Sequence, residues 1–360
     1  MTLRLALVGG PMYDGMYELL EDRDVEVLVH ADHPTLNRGV AELLGRGARL
    51  DLISTHAKYA PSQARWLRPL DDLVDPSLLG SLAPRALALC RFEGRLLCVP
   101  RNVDVRVLWV RDDLVAVAPD TWEALLAGTA SFGFPGRESG LFGTFFELVA
   151  GLGGRLFDES GHPAIATPEA ERAVETLHQL AARAPSDLPD WHYDQVDAAL
   201  VSGRVAMAAA WPGGYGALRG SPHYERLSAH PYPAGPRGRF SYAGVHAWAI
   251  PTTCGDVAGA LELLHLVAGP EAARLEAASG GVPAHLATFA AARPHDDKDA
   301  RRLELTRAAI AEQMITYPPR AEFPAIEDAG WHSIREALRG ALGARAAVER
   351  IQAEAERILR

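Results

Sequence analysis

A few places in the chain gather side chains that could do chemistry. His30-Ala-Asp32-His33 closes an apolar run with two imidazoles and a carboxylate, a donor set that suits a divalent metal. Asp190-Trp-His192-Tyr-Asp194 offers a similar mixture. Asp32 and Asp104 could act as acid and base in glycoside cleavage, which needs carboxyl groups about 5–10 Å apart, one with a raised pKa. Stronger signatures are missing. There is no G-x-x-x-x-G-K-[ST] phosphate loop, no G-x-S-x-G elbow and no H-E-x-x-H helix. Gly9-Gly10 ends an apolar run without the three spaced glycines of a dinucleotide site. Two imidazoles and one carboxylate on a loop are ordinarily hydrogen-bonded surface groups, so neither a metal nor a cofactor is expected. The cysteines, Cys90, Cys98 and Cys254, permit one disulfide and contain no C-x-x-C pair; buried free thiols are the expectation.

The elements that must position these groups follow from the apolar pattern. "LRLALVGG", "VEVLVHA" and "LDLIST" read as short buried strands, with "MYDGMYELLED" and "HPTLNRGVAELLGRGA" as helices between them. That alternation predicts a mainly parallel sheet covered by helices, with ligands at the strand C-terminal ends. Residues 92–113 predict a hairpin and a long extended crossing. Helices are expected over 121–126, 140–152, 168–183 and 193–202, and again over 256–293, 303–315 and 334–359. Between them, "RVAMAAAW" is a strand that breaks at Pro212-Gly213-Gly214, and "RLSAHPYPAGPRGRFSYAGVHAWAIP" is two strands around a Pro/Gly loop. Within "GLGGRLFDESGHPAIATPEAERAVETLHQL", Asp158–Gly161 is a turn and Thr167 an N-cap, followed by Pro168 in the first helical slot.

Composition narrows the function. A chain of 360 residues suits two domains rather than one core. A net charge of −10 argues against nucleic acid, because phosphate binding needs a basic face. Lys occurs only at positions 58 and 298, so all but two of the 36 basic residues are Arg. No run approaches 18 uninterrupted apolar residues, the length a membrane helix needs. "MTLRLALVGG" lacks the basic start, long apolar core and cleavage site of a secretory leader, so Leu3–Val8 is read as a strand. The protein is then extracytoplasmic if a leader was removed ahead of this numbering, and cytoplasmic if Met1 is the native start.

Several segments also resemble one family, in order. "GARLDLIST" and "WLRPLDDLV" are similar to its strand and Leu-Pro-Leu-Asp segment. "FEGRLLCVPRNVDVRVLWVRDDL" resembles its hinge passage, with Glu93 in place of Asp and Val110-Arg111 in place of Tyr-Asn. "APDTWEALLA", "GLGGRLFDESG" with "TPEAERAVETLHQL", "ALVSGRVAMAAAWPGGY", "GVHAWAIP" and "GPEAARLEAASGGVPA" continue the likeness over nearly the whole chain. The family is the extracellular solute-binding proteins of ABC transporters, in their maltose-binding-protein-like group. The resemblance implies an α/β, two-lobe periplasmic-binding-protein (type II) fold that closes on solute in a cleft between the lobes. Lobe one would comprise 1–107 plus 249–306, and lobe two 108–248 plus 307–360. It implies a monomer without enzymatic activity or cofactor that captures a small solute and delivers it to ABC permease membrane subunits.

The same matching implies which residues hold solute. Lobe one would offer residues 10–13 including Tyr13, then Asp32, Ser54, Thr55, His56, Lys58, Tyr59 and Asp104. Lobe two would offer Leu141, Phe142, Trp211, Gly213, Tyr215, Tyr242, Gly244, His246 and Trp331. Asp104 and Trp331 fall where the family's maltose member contacts its sugar with a carboxylate and an aromatic ring. Trp66, Trp109, Trp122 and Trp248 are expected in the core. A carbohydrate is the first expectation, because flat aromatics and hydroxyl-binding polar groups suit sugars. His56, Lys58, Arg101 and Arg320 depart from a neutral sugar site, since Arg forks suit carboxylate or phosphate. A sugar phosphate, glycerophosphodiester or organic acid is therefore the alternative, as is a leaderless cytoplasmic sensor.

Overall fold

Strand Leu3–Val8 is a continuous apolar run, and Leu5, Ala6, Leu7 and Val8 are all buried, the pattern of a strand covered on both faces. It pairs in parallel with Val25–Ala31 on one side and Leu52–His56 on the other. His246–Ala249 adds antiparallel to Leu52–His56, and Val99–Pro100 closes the five-stranded sheet. These belong to the first of two compact units in a computed structural model: unit 1 comprises 1–104, 244–293 and 317–323, and unit 2 comprises 105–243, 294–316 and 324–360. The structure describes residues 1–10 and 13–360; Pro11 and Met12, part of the candidate run 10–13, lie outside the described residues.

Local rules account for how unit 1 is dressed. The helix His33–Gly45 starts where Asp32 accepts the Thr35 N–H at 3.0 Å, and it buries Leu36, Val40 and Leu44 at four-residue spacing. The segment expected as a helix from "MYDGMYELLED" is instead a 3-10 helix, Asp14–Leu20. Its Tyr13 cap gives no side-chain hydrogen bond and only Met16 and Leu20 are buried, too little to hold a full α-helix. The hairpin Arg91–Phe92 with Arg95–Leu96 turns through Glu93 and Gly94, whose φ values of 50° and 80° are those of a two-residue type I′ loop.

Unit 2 has its own four-stranded sheet in the order Leu227–His230, Val107–Arg111, Met207–Ala210, Phe132–Gly133. Val107–Arg111 is buried throughout and runs antiparallel to both neighbours. The helices Glu138–Leu152, Pro168–Ala181 and Ala344–Ile358 pack together, with Thr167 capping the second by accepting the Ala170 N–H. Residues 294–306, grouped with lobe one on sequence, lie in unit 2. The reason is local. Helix Asp297–Ala308 packs on Leu227–His230, its cap Asp296 accepts the Tyr224 hydroxyl, and Lys298 Nζ donates to Leu227 O at 2.6 Å.

Candidate functional site

Unit 1 assembles its polar groups through strand register. His56 lies opposite His246 and Ser54 opposite Trp248, so alternation sends all four side chains to one face of the sheet. Asp104 joins them because its N–H donates to Gly244 O at 3.0 Å, and its Oδ2 sits 2.7 Å from His246 Nε2. His33, the first residue of its helix, reaches the same place, and its Nε2 is hydrogen-bonded to His246 Nδ1. The ring centroids lie 4.3 Å (His33–His246), 5.2 Å (His56–His246) and 5.8 Å (His33–His56) apart. Tyr13 completes the group with its hydroxyl 3.4 Å from His246 Nε2. Gly244 is required here, because a Cβ would collide with His56 Nε2.

Loss of water around the rings, then repulsion from His246, holds His33 and His56 well below the ordinary imidazole value; Lys58 adds to it, as do His56 and Arg101 at His33. Lys58 lays its ammonium 4.8 Å from the centre of the Tyr59 ring, while its backbone N–H donates to His56 Nδ1 at 3.1 Å. Arg101 is committed elsewhere: its Nε donates to Glu276, which also accepts from Asn102 Nδ2 at 2.8 Å. Arg101 Nη1, Ser54 Oγ and Trp248 Nε1 are buried without hydrogen-bond partners. Among the described residues, no three His, Cys, Asp or Glu are arranged to hold a metal ion.

The remaining unit 1 candidates have other partners. Thr55, one residue from His56, faces the other way and donates to Gln63 Oε1 at 3.3 Å. Asp32 is exposed and serves as the helix cap. Arg320 sits on the segment 317–323, its N–H bonded to Pro318 O. Gly244 and His246, grouped with lobe two on sequence, lie in unit 1 because strand 246–249 pairs inside that sheet.

Unit 2 presents Trp211 at the end of strand Met207–Ala210, before the 3-10 turn Pro212–Gly214 that contains Gly213. Arg106 lies 4.3 Å from the centre of the Trp211 ring, and Tyr193 meets its edge at 4.9 Å. Arg106 is itself fully buried and bound to Glu147, which also accepts from the Tyr232 hydroxyl and the Tyr242 N–H, each at 2.7 Å. Burial pushes the Glu147 carboxyl up, against the pull of Arg106. Asp197, beside Gly214, is pushed up to about 8 by burial and by Asp194.

Phe142, Tyr215 and Tyr242 are buried: Phe142 packs on Phe145, Tyr215 stacks on Trp109, and Tyr242 lies against Gly143. Trp331 stacks on His332 at 3.6 Å, and its Nε1 donates to Asp328 at 2.9 Å. Trp109, Trp122 and Trp248 are core residues, and Trp66 is half-buried under Arg65. Sequence reasoning named His33 and Tyr193 only within possible metal-binding runs, not as solute-site residues, and missed Arg106, Glu147 and Asp197. The available signal for His33 was its place immediately after a helix cap at a strand end.

The model of the bacterial extracellular solute-binding protein family matches residues 45–274, well over half of the chain. The chain belongs to that family. Its members are solute-binding proteins, not enzymes. One curated relative is the "Probable amino-acid ABC transporter periplasmic-binding protein y4oP" of Sinorhizobium fredii, 23% identical over 252 residues. That match covers 64% of this chain and spans only 57% of the relative's length. Among solved structures, maltose-bound MalE3 of T. maritima is similar at a TM-score of 0.89 and 21% identity, over 99% of each chain. An ABC transporter solute-binding protein of Agrobacterium radiobacter in complex with ribitol is similar at 0.87 and 20%, over 99% of this chain and 98% of that one. The maltotriose-binding protein of Thermus thermophilus reaches 0.80 at 17% identity, over the whole of both. The fold is therefore the two-lobe, maltose-binding-protein-like α/β fold.

Proposed function

We propose that this family member is the solute-capturing component of an ABC importer, working outside the cytoplasm and handing a neutral sugar or polyol to permease membrane subunits. The observation that carries the reading is the face of unit 1 where Tyr13, His56, His246 and Asp104 meet. Those groups bind hydroxyls, which donate and accept at once. Arg101, one of the cations that would suit an anionic solute, is already paired with Glu276. Relatives of the same fold that hold maltose, maltotriose or ribitol support the choice of solute class.

A thermal-shift screen tests it, with maltose, maltotriose, ribitol, sugar phosphates, organic acids and amino acids. A solute at a hundred times its Kd stabilises by about 2.7 kcal/mol, enough to move the midpoint by about 5–11 °C. A response to sugars or polyols is expected. A response confined to phosphates, organic acids or amino acids overturns the reading.

A further inference from the structure

Cys90 and Cys98 bracket the hairpin of Arg91–Phe92 with Arg95–Leu96, and both are buried in unit 1. The ladder that pairs Arg91 with Leu96 continues one step outward, where the Leu97 N–H donates to the Cys90 carbonyl at 3.0 Å. Cys98 is the next residue, and its Sγ turns back to the same carbonyl oxygen at 4.0 Å. Burial pushes the Cys90 thiol well up, and a hydrogen bond with the Cys98 side chain adds to the shift, so the two thiols face one another. A disulfide needs Cα atoms within about 7 Å and side chains directed at each other. The bonded pair of Cys90 and Leu97, with Cys98 turned toward it, supplies that approach. Cys254 stands apart: burial pushes its thiol up to about 11, and its side chain is hydrogen-bonded to Asp51. All three thiols are free in this structure.

We propose that Cys90 and Cys98 are a disulfide site, closed while unit 1 folds in an oxidising medium, and that Cys254 stays a thiol. The solute reading enters only as the place, since this is an extracellular family and disulfides form and persist outside the cytoplasm. The oxidant is a small or protein-borne disulfide. The thiolate of one cysteine attacks a sulfur of that disulfide and expels a thiolate, leaving a mixed disulfide. The second cysteine's thiolate then attacks the protein sulfur of the mixed disulfide, forms the Cys90–Cys98 bond and expels the other half. Two protein thiols give up two electrons and two protons, and the oxidant becomes two thiols. Both steps need an accessible thiolate, which the folded unit denies to these buried groups, so closure belongs to the folding chain. The bond ties the end of helix Pro84–Leu89 to strand Val99–Pro100, which leads into Arg101 and Asp104.

The test refolds the whole chain from urea, at mildly alkaline pH, in mixtures of oxidised and reduced glutathione. It uses wild type, Cys254→Ser, and the double variant Cys90→Ser with Cys98→Ser. Free thiols are counted and blocked, and the protein is cut with trypsin, which cleaves after Arg91 and Arg95 inside the closed loop. Tryptic peptides 86–91 and 96–101 should stay joined until reductant is added. Wild type should keep one free thiol and Cys254→Ser none. Oxidised Cys254→Ser should melt about 4–10 °C above the same protein reduced, the effect of closing a loop of nine residues. The double variant should show one midpoint in both media, which assigns the shift to this pair. Wild type folded before it meets the oxidant should keep all three thiols; their rapid loss would count against closure during folding. Three free thiols after oxidative refolding, glutathione left on Cys90 or Cys98, a link to Cys254, or an oxidised midpoint no higher than the reduced one overturns the proposal. None of these readouts involves maltose or ribitol, so the solute reading can fail while the disulfide stands.

Discussion

Glu147→Leu should be among the most damaging single changes in unit 2, and the structure says by how much. Glu147 accepts from Arg106 Nε at 3.1 Å and from Arg106 Nη2, and also from the Tyr232 hydroxyl and the Tyr242 N–H. All of these groups are buried, so removing the carboxylate strands a cation away from water. Breaking one side of a buried ion pair costs about 3–5 kcal/mol. The orphaned Tyr232 and Tyr242 donors push the cost toward the upper end, while Thr144 Oγ1, 2.9 Å from Arg106 Nη1, softens it. A body the size of unit 2 loses about 2–4 °C of midpoint per kcal/mol, so the transition should drop by about 6–20 °C. Glu147→Gln keeps the shape and one acceptor and should cost about 1–3 kcal/mol. The double variant Arg106→Met with Glu147→Leu removes both charges and should recover most of the loss, because desolvation offsets much of a buried pair's attraction. Two units need not unfold together, so hydrogen exchange along helix 138–152 is the assay, beside urea unfolding. A Glu147→Leu protein within about 1 kcal/mol of wild type, or a double variant worse than the single one, would refute this account.

Acid should destabilise unit 1. His33 and His56 are held neutral below the unfolded value of about 6.5, so below that pH the unfolded chain binds more protons and stability falls, by up to about 1.4 kcal/mol per pH unit for each ring. Urea midpoints measured from pH 8 to 5 should show this slope, and His33→Gln with His56→Gln should flatten it. Gly244→Ala should drive a methyl group into the His56 ring, costing about 1–3 kcal/mol and weakening maltose or ribitol binding; unchanged calorimetry would argue against a site there. Trp331→Ala should weaken a sugar by about ten- to a hundredfold if the ring stacks on it, the worth of burying about 1.5–3 kcal/mol of apolar face. Asp104→Asn should also weaken it, since a charge-assisted hydrogen bond becomes a neutral one; tight binding that survives both changes would refute a sugar site built on these two residues.

What could be read from sequence was whatever rests on local rules. Strands 3–8 and 52–56 announce themselves because a strand buried on both faces is a plain apolar run, and helix 168–181 because Thr167, Pro168 and its apolar spacing agree. Strand 25–31 forms too, but at the sheet edge and not buried as its apolar run implied, with Val27 and Leu28 exposed. The 3-10 helix 14–20 escaped because its pattern of apolar residues also fits an α-helix, and only the weakness of its packing decides against one. Residues 294–306 were misplaced for a different reason. Their attachment to unit 2 runs through Tyr224 and through the carbonyl of Leu227, more than sixty residues away in sequence.

The site divides along the same line. Asp104, His56 and Tyr13 could be named because they stand at strand ends and in a hinge passage. His33 and His246, 213 residues apart, could not be joined without the register that sets strand 246–249 beside strand 52–56. Register has a period of two, so a slip of one residue would have sent Ala247 and Thr55 to this face instead. Thr55 shows the consequence directly: it was a candidate by position, and the pleat turns it toward Gln63. The same logic applies to the cationic candidate Arg101. Composition shows Arg101 as a positive charge, but only the fold supplies Glu276 as its partner. If the unit 1 face binds a neutral solute as proposed, donors and acceptors rather than net charge should set its affinity, which should then change little with salt; a strong fall in affinity with added salt would argue for a charged solute instead.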